Sequence, residues 1–360
     1  MKKTIQIKRY CGEIDWSDKF VEGLNLLVSP TGSGKTTAMM AFAKDHNIGF
    51  VAPYVSVTHQ VGKQYDIGIK VGLKTEDFVD TSQAMITSYH SIPRMLEKEK
   101  MDYLFIDELH VLSGFAGFIA DSVINTFWDT VKKLQAKHPG LKVVCMTATP
   151  HFVRLHPAFD FKQEFYITTI EPLSKPKQIQ TVRSTKNLLA SLPSYLYLYP
   201  SRDMGYKQSR KYSGSYIESS KKEKSPVYQE ILVGEKPSCS KIFTSTCLAT
   251  GLSITNSGIK YAITNWLTLT DIVQTSARIR EGVDILYVGK CIPFFLRGGM
   301  DKPQLTGKGS FAAAMREINQ FETWVSLQLH GDYFDELMHD VVYQMIHLPE
   351  REIDFNNLFY

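Results

Sequence analysis

Ser29-Pro30-Thr31-Gly32-Ser33-Gly34-Lys35-Thr36-Thr37 is the stretch whose residue types most directly imply chemistry. It follows a short apolar run, Leu24–Val28, and opens a segment of helical length, Lys35–Lys44. Small residues there let successive backbone N–H groups turn inward around phosphate oxygens, and the start of a helix adds its positive dipole end. Residues Pro30 to Thr37 are therefore expected to line a nucleotide's phosphates. Lys35 would reach the β and γ groups, and the Thr36 hydroxyl would sit on Mg²⁺. Ser29 stands where the generic pattern GxxxxGK[ST] has glycine.

A second candidate is the carboxylate pair Asp107-Glu108, reached directly from the apolar run Tyr103–Ile106. At the C-terminal end of a parallel strand the pair would lie beside the phosphate loop. Asp107 can hold the metal, and Glu108 can orient and deprotonate an attacking water.

Elements of a particular kind must position these groups. Leu24–Val28, Ile48–Ala52, Ala84–Thr87, Tyr103–Ile106 and Lys142–Met146 are short apolar runs without alternation, the pattern of strands buried on both faces. Lys35–Lys44 and Asp121–Lys137 have helical length and spacing between them, so the first 152 residues read as α/β with βαβ crossovers. Prolines 150, 157, 172 and 176 interrupt regular structure around a connection. Strand-like runs then resume at Ile179–Val182, Tyr195–Tyr199, Lys241–Thr246, Lys260–Thr264 and Asp284–Val288, giving a second α/β lobe over 153–290. Residues 201–225, rich in Ser, Tyr and Lys, read as a loop or insertion in that lobe. Helical spacing of Phe311, Met315, Ile318, Phe321 and Val325 gives a helical C-terminal extension over 291–360.

The net charge of +4 hides a segregation. Residues 1–150 hold 17 basic and 16 acidic side chains, 151–300 hold 20 and 11, and 301–360 hold 4 and 10. The middle region suits polyanions and the tail does not. Lys207, Arg210, Lys211, Lys221, Lys222 and Lys224, interleaved with Tyr206, Tyr212 and Tyr216, offer phosphate contacts and stacking faces for a single strand. The acidic end, with Phe355, Leu358 and Phe359, offers a docking peptide for a replication partner, or a tail that packs on its own domain. The five cysteines are scattered without metal-ligand spacing, and no run of eighteen apolar residues or signal-like segment occurs, so the expectation is a reduced, cytoplasmic protein with no membrane partner.

The order of these segments resembles the superfamily 2 helicases and translocases, in particular the DEAD/DEAH-box-like group. Ser29–Thr36 (SPTGSGKT) is similar to that family's first motif, Asp107–His110 (DELH) to its DExH motif, and Thr147-Ala148-Thr149 to its S/T-A-T motif. Val51-Ala52-Pro53-Tyr54 with Thr58-His59-Gln60 resembles motif Ia, and Thr87-Ser88-Tyr89-His90 resembles motif Ib. Tyr195–Tyr199 with Ser201-Arg202 falls at motif IV, Phe243–Thr246 with Gly251-Leu252-Ser253 at motif V, and Gln274–Arg280 at motif VI. Ala277 replaces the usual glycine of the last motif, and Glu281 stands at its second arginine position, with Arg280 one residue early. The motif V and VI forms are similar to phage or viral origin-binding replication helicases.

The resemblance implies two tandem RecA-like lobes and ATP with Mg²⁺ as cofactors. It places Lys35, Glu108, Gln274, Arg278 and Arg280 among catalytic groups and Gly251 at the nucleotide. His110, Thr147 and Thr149 would couple that site to nucleic acid, DNA favoured, as a single strand or fork. Pro53, Tyr54, Thr87, Ser88 and Thr246 would touch the strand. The activity implied is an ATP-dependent helicase or translocase; the alternative is an ATP-switched replication or origin factor that separates no strands.

Overall fold

The computed structural model describes residues 1–71, 74–75, 84–114, 121–148, 160–171, 176–182, 185–198, 202–217, 225–232, 236–244, 254–255, 257–264 and 277–289. The chain forms two compact units that divide between Glu171 and Pro172. Each is α/β, as the alternation of apolar runs and helical segments requires.

In chain order the first unit holds strands β1 (Lys2–Ile7) and β2 (Gly23–Val28), helix α1 (Lys35–Met40), β3 (Ile48–Ala52), α2 (Val55–Tyr65), β4 (Gly68–Val71), β5 (Lys74–Thr75) and β6 (Ala84–Ser88). It continues through β7 (Tyr103–Ile106), α3 (His110–Gly114), α4 (Asp121–Lys137), β8 (Lys142–Thr147) and β9 (Gln163–Thr169). These strands form one sheet in the order β1-β9-β2-β8-β7-β3-β6-β4-β5. Every neighbouring pair is parallel except β4 with β5.

Both faces of the central strands are covered, which is why their sequences run apolar without alternation. Successive side chains still point to opposite faces. Leu26, Leu104, Ile106, Val143 and Cys145 pack with Tyr89, Phe127 and Trp128 on one side, and burial pushes the Cys145 thiol pKa up. Leu27, Phe50, Phe105, Val144 and Met146 pack with Met39, Val61, Trp16 and Phe20 on the other. Each fully buried side chain of this size contributes about 1.5–3 kcal/mol of hydrophobic stabilisation.

The second unit holds β10 (Gln178–Val182), α5 (Lys186–Ser191), β11 (Tyr195–Leu198), α6 (Arg202–Lys211), β12 (Ser215–Ile217), α7 (Pro226–Leu232), β13 (Lys241–Thr244), β14 (Tyr261–Thr264) and β15 (Ile285–Gly289). Its sheet runs β10-β15-β14-β11-β13-β12, with every neighbouring pair parallel.

Two expectations change. The lobe boundary expected at 152/153 falls at 171/172, because β9 pairs with β1 and β2 in the first sheet. β9 contains no proline, and Phe165 and Ile167 alternate inward along it. Residues 202–217, expected as part of a loop, form α6 and β12. Small residues, Gly205 and Ser209, are buried on α6. A Cβ at Gly205 would lie 2.7 Å from the Tyr216 ring, so close packing here requires glycine. The expected extension 291–360 lies outside the described residues, as do Lys221, Lys222 and Lys224.

His138, just beyond α4, is 7% exposed. Burial, and then the Lys137 and Lys98 ammonium groups, hold its imidazole pKa below the ordinary 6.5. The folded chain thus binds this proton less readily than the unfolded chain. Its stabilising contribution is complete above pH 6.5 and is lost as pH falls from there toward the folded-state pKa. His138→Gln is expected to flatten part of the acid loss of stability, read as urea midpoints between about pH 7.5 and 5.

Candidate functional site

The strand order sets out the site. β8 lies between β2, which feeds the glycine-rich loop, and β7, which feeds Asp107-Glu108. In register, Val28 pairs with Thr147 and Ile106 with Cys145, so the three strand ends finish at nearly one level. Thr147 is thereby placed to touch both neighbouring loops.

In the loop, Gly32 (φ 82°) and Gly34 (φ 75°) take left-handed backbone that side chains resist. Lys35 is 8% exposed, and its Nζ donates to the carbonyls of Ser29 (2.8 Å) and Pro30 (3.0 Å). These bonds hold the ammonium against the loop it serves. Thr31 Oγ1 is buried and makes no hydrogen bond among the described residues. Thr36 is partly buried, and exposed Thr37 accepts a hydrogen bond from the Tyr65 hydroxyl at 2.8 Å.

The turn after β7 is pinned to both adjacent strands. Asp107 N donates to Val51 O (2.9 Å) and Leu109 N donates to Met146 O (2.8 Å). Glu108 between them is forced to φ 53°, sparsely populated for a non-glycine residue, at a cost of about 1–3 kcal/mol. Its own N–H donates to Asp107 Oδ1 at 3.1 Å. The Asp107 carboxylate is buried, and the Asp107 carbonyl accepts from the hydroxyl of fully buried Tyr89. Burial first, then the Asp107 and Glu108 carboxylates, raise the Tyr89 pKa well above its ordinary value, so this hydroxyl stays a donor.

His110, 2% exposed, joins the two motifs at the centre. Its Nδ1 lies 3.1 Å from Thr147 Oγ1 in hydrogen-bond geometry. Glu108 Oε2 approaches the same nitrogen at 3.3 Å without hydrogen-bond geometry, so we treat that pair as an electrostatic neighbour and not a bond. Thr147 O in turn accepts from Ser29 N at 3.1 Å. Bonds therefore run from His110 through Thr147 to the phosphate loop, with the Glu108 carboxylate beside their starting point.

Residues 6–152 match the family model for the res subunit of type III restriction enzymes. Those residues lie within the first unit, which is thus similar to that family over most of its length. In fold, this chain is similar to the Mycobacterium smegmatis helicase Lhr, whose structure was solved with ssDNA and AMP-PNP. The match has 12% identity and a TM-score of 0.53, and it covers 74% of this chain and 44% of Lhr. The chain thus spans less than half the length of that helicase. Comparison of the sequence with curated proteins finds no match.

Within the first unit, several strand-contact candidates are turned inward. Pro53, Thr87 and Ser88 are buried, and Thr87 Oγ1 is spent on the carbonyls of Lys70 (2.5 Å) and Ser91 (3.2 Å). These residues shape backbone at the strand ends and offer little side-chain surface. Tyr54 is half-buried and precedes α2, where Thr58 Oγ1 donates to its carbonyl at 3.0 Å.

In the second unit, Arg278 is 5% exposed and Arg280 is partly buried. Their backbone is tied to Ile254: Ile254 N donates to Arg278 O (2.7 Å), and Arg280 N donates to Ile254 O (3.0 Å). Ala277, in place of glycine, is buried, and Glu281 is exposed. Lys207, Arg210 and Lys211 are exposed on α6, and the Arg210 guanidinium lies 4.6 Å from the Tyr206 ring centroid. Tyr206 is 48% exposed, whereas Tyr212 and Tyr216 pack against the unit's core. The stacking surface expected from three tyrosines thus narrows to one. Gln274, Gly251, Thr149 and Thr246 lie outside the described residues.

Sequence reasoning missed two contributors. Tyr89 falls within the motif Ib-like run Thr87–His90, and nothing in that run signals that its hydroxyl holds the Asp107 carbonyl 18 positions away. The segment Tyr10–Glu13, ahead of β2, packs on the phosphate loop through Cys11, whose N–H donates to Ser33 O at 2.7 Å. No local pattern announces that contact, since it depends on chain returning across the sheet end.

Proposed function

We propose that this chain is an ATP-driven helicase or translocase acting on nucleic acid, with single-stranded or forked DNA favoured over RNA. The observation that carries the reading is the bonded path from His110 through Thr147 to Ser29 N, with Glu108 Oε2 3.3 Å from its starting nitrogen, which sets the carboxylate turn against the phosphate loop.

Pro30 to Thr37 would cradle the ATP phosphates, with Lys35 supplying a fixed positive charge to the β/γ oxygens. The oxygen donors Thr36 and Asp107 suit a hard cation that keeps phosphate and water in its shell. Bound there, Mg²⁺ would neutralise charge on the phosphates. Glu108 would accept a proton from the attacking water, its position fixed by the strained turn. Arg278, with Arg280 in support, would serve as the arginine finger from the second unit, a contribution of about 10³–10⁵ in rate. Gln274 and Gly251 would complete the nucleotide contacts, while Thr149 and Thr246 would extend the coupling and strand contacts. Loss of the γ-phosphate would be sensed at His110 and passed to Thr147 and the strand.

Lys207, Arg210 and Lys211 on α6 would hold strand phosphates, with Tyr206 offering a stacking face. Replacing all three cations with alanine is expected to flatten the dependence of log K on log salt by roughly 2 for single-stranded DNA. An unchanged slope removes α6 from the strand path.

The displaced arginine of motif VI favours one second reading, an ATP-switched binding factor that hydrolyses ATP without separating strands. A tailed duplex with a labelled strand distinguishes them: ATP-dependent release of that strand supports the helicase, and ATP turnover without release supports a switch or a translocase that does not unwind.

A further inference from the structure

The loop's Ser29, where the generic pattern has glycine, belongs to a buried chain of hydroxyl and thiol groups whose direction can be worked out. Cys11, Ser29 and Ser33 are each 0–1% exposed. Cys11 Sγ lies 3.1 Å from Ser29 Oγ, Ser29 Oγ lies 2.6 Å from Ser33 Oγ, and Ser33 Oγ donates to Pro30 O at 2.7 Å. Each hydroxyl has one proton to give. The Ser33 proton is spent on the Pro30 carbonyl, so Ser29 must donate to Ser33. The Cys11 thiol must then donate to Ser29, and it also reaches Ser33 Oγ at 3.5 Å. The chain therefore runs one way, from Cys11 through Ser29 and Ser33 to Pro30 O. That carbonyl is one of the two that hold Lys35 Nζ.

Cys11 itself is held in place from outside the loop. Trp16 Nε1 donates to its carbonyl at 2.9 Å, and Trp16 stacks on Phe20 in the core with ring centroids 5.3 Å apart. The Glu13 carboxylate accepts the N–H groups of Lys8, Arg9 and Tyr10 at 2.7–2.8 Å, closing the turn that presents Cys11 to the loop.

We propose that Cys11 and Ser29 are positioning residues for Lys35, setting the nucleotide affinity of the phosphate loop through this one-way chain. The inference rests on the reading of that loop as an ATP site. Without the thiol donor, Ser29 and Ser33 can reverse their bond. Ser33 then no longer has to donate to Pro30, and the carbonyl cradle of the Lys35 ammonium loses its fixed shape. A loop that must be ordered on binding binds more weakly than one already ordered.

The test is the affinity of the full chain for a fluorescent, non-hydrolysable ATP analogue, measured for wild type, Cys11→Ser, Cys11→Ala and Ser29→Ala, beside urea midpoints. Cys11→Ala and Ser29→Ala are expected to bind roughly threefold to tenfold more weakly, the worth of one neutral buried hydrogen bond. Cys11→Ser, which keeps a donor, should stay within about twofold of wild type. A packing role alone predicts the reverse order, because a buried cysteine acting as a small apolar group is better replaced by alanine than by serine. Should Cys11→Ala fail to fold, Ser29→Ala carries the measurement. Wild-type binding with both alanine variants unchanged, or with Cys11→Ser weaker than Cys11→Ala, overturns the inference and leaves the ATP reading standing. Absence of binding by wild type overturns that reading and this inference with it.

Discussion

Replacing Lys35 with alanine is expected to lower ATP turnover by roughly 10²–10³-fold or more, while the fold survives. The side chain is only 8% exposed, so its charge acts in a region where water screens little. It also closes the loop from within through the Ser29 and Pro30 carbonyls. The variant therefore loses both the cation facing the phosphates and part of the loop's order. Nucleotide affinity and turnover should fall together, with far-UV circular dichroism unchanged. Turnover within a few-fold of wild type would remove the loop from the chemistry.

Glu108→Gln should separate binding from hydrolysis. Glutamine preserves side-chain length and can occupy the same left-handed backbone, φ 53°, held by the bonds of Asp107 N and Leu109 N to the neighbouring strands. What would disappear is the proposed base. Turnover is expected to drop about 10²–10⁴-fold, the usual worth of a positioned proton acceptor, with affinity for an ATP analogue retained. Equal losses of affinity and turnover would instead mark Glu108 as a binding group. The pair of variants thus assigns one residue to phosphate capture and the other to proton transfer.

Most of this geometry could be read from residue types because the relevant signals are local. Val, Ile and Leu runs such as Leu24–Val28 and Lys142–Met146 suit doubly buried strands, and Asp121–Lys137 is helical to the residue. Motifs at strand ends then follow, because a parallel sheet brings the C-terminal ends of its strands together. Two kinds of feature were hidden. One depends on small residues: α6 buries Gly205 and Ser209, which an argument from apolar periodicity does not count. The other depends on distant chain. β9 joins the first sheet beside β2, Tyr89 reaches Asp107, and Cys11 meets Ser29 across 18 positions of sequence. Burial had a similar effect on the strand-contact candidates. Thr87 and Ser88 have the residue types for such contacts, yet their side chains face the interior.

The central claim is that ATP hydrolysis at this loop is coupled to nucleic acid. It is tested most directly by the steady-state ATPase rate of the full chain with single-stranded DNA, duplex DNA, RNA or no nucleic acid, with Lys35→Ala as the control. The account predicts a rate that rises several-fold or more with single-stranded DNA, rises less with RNA, and is absent in the control. A wild-type rate that none of the three nucleic acids changes would contradict it.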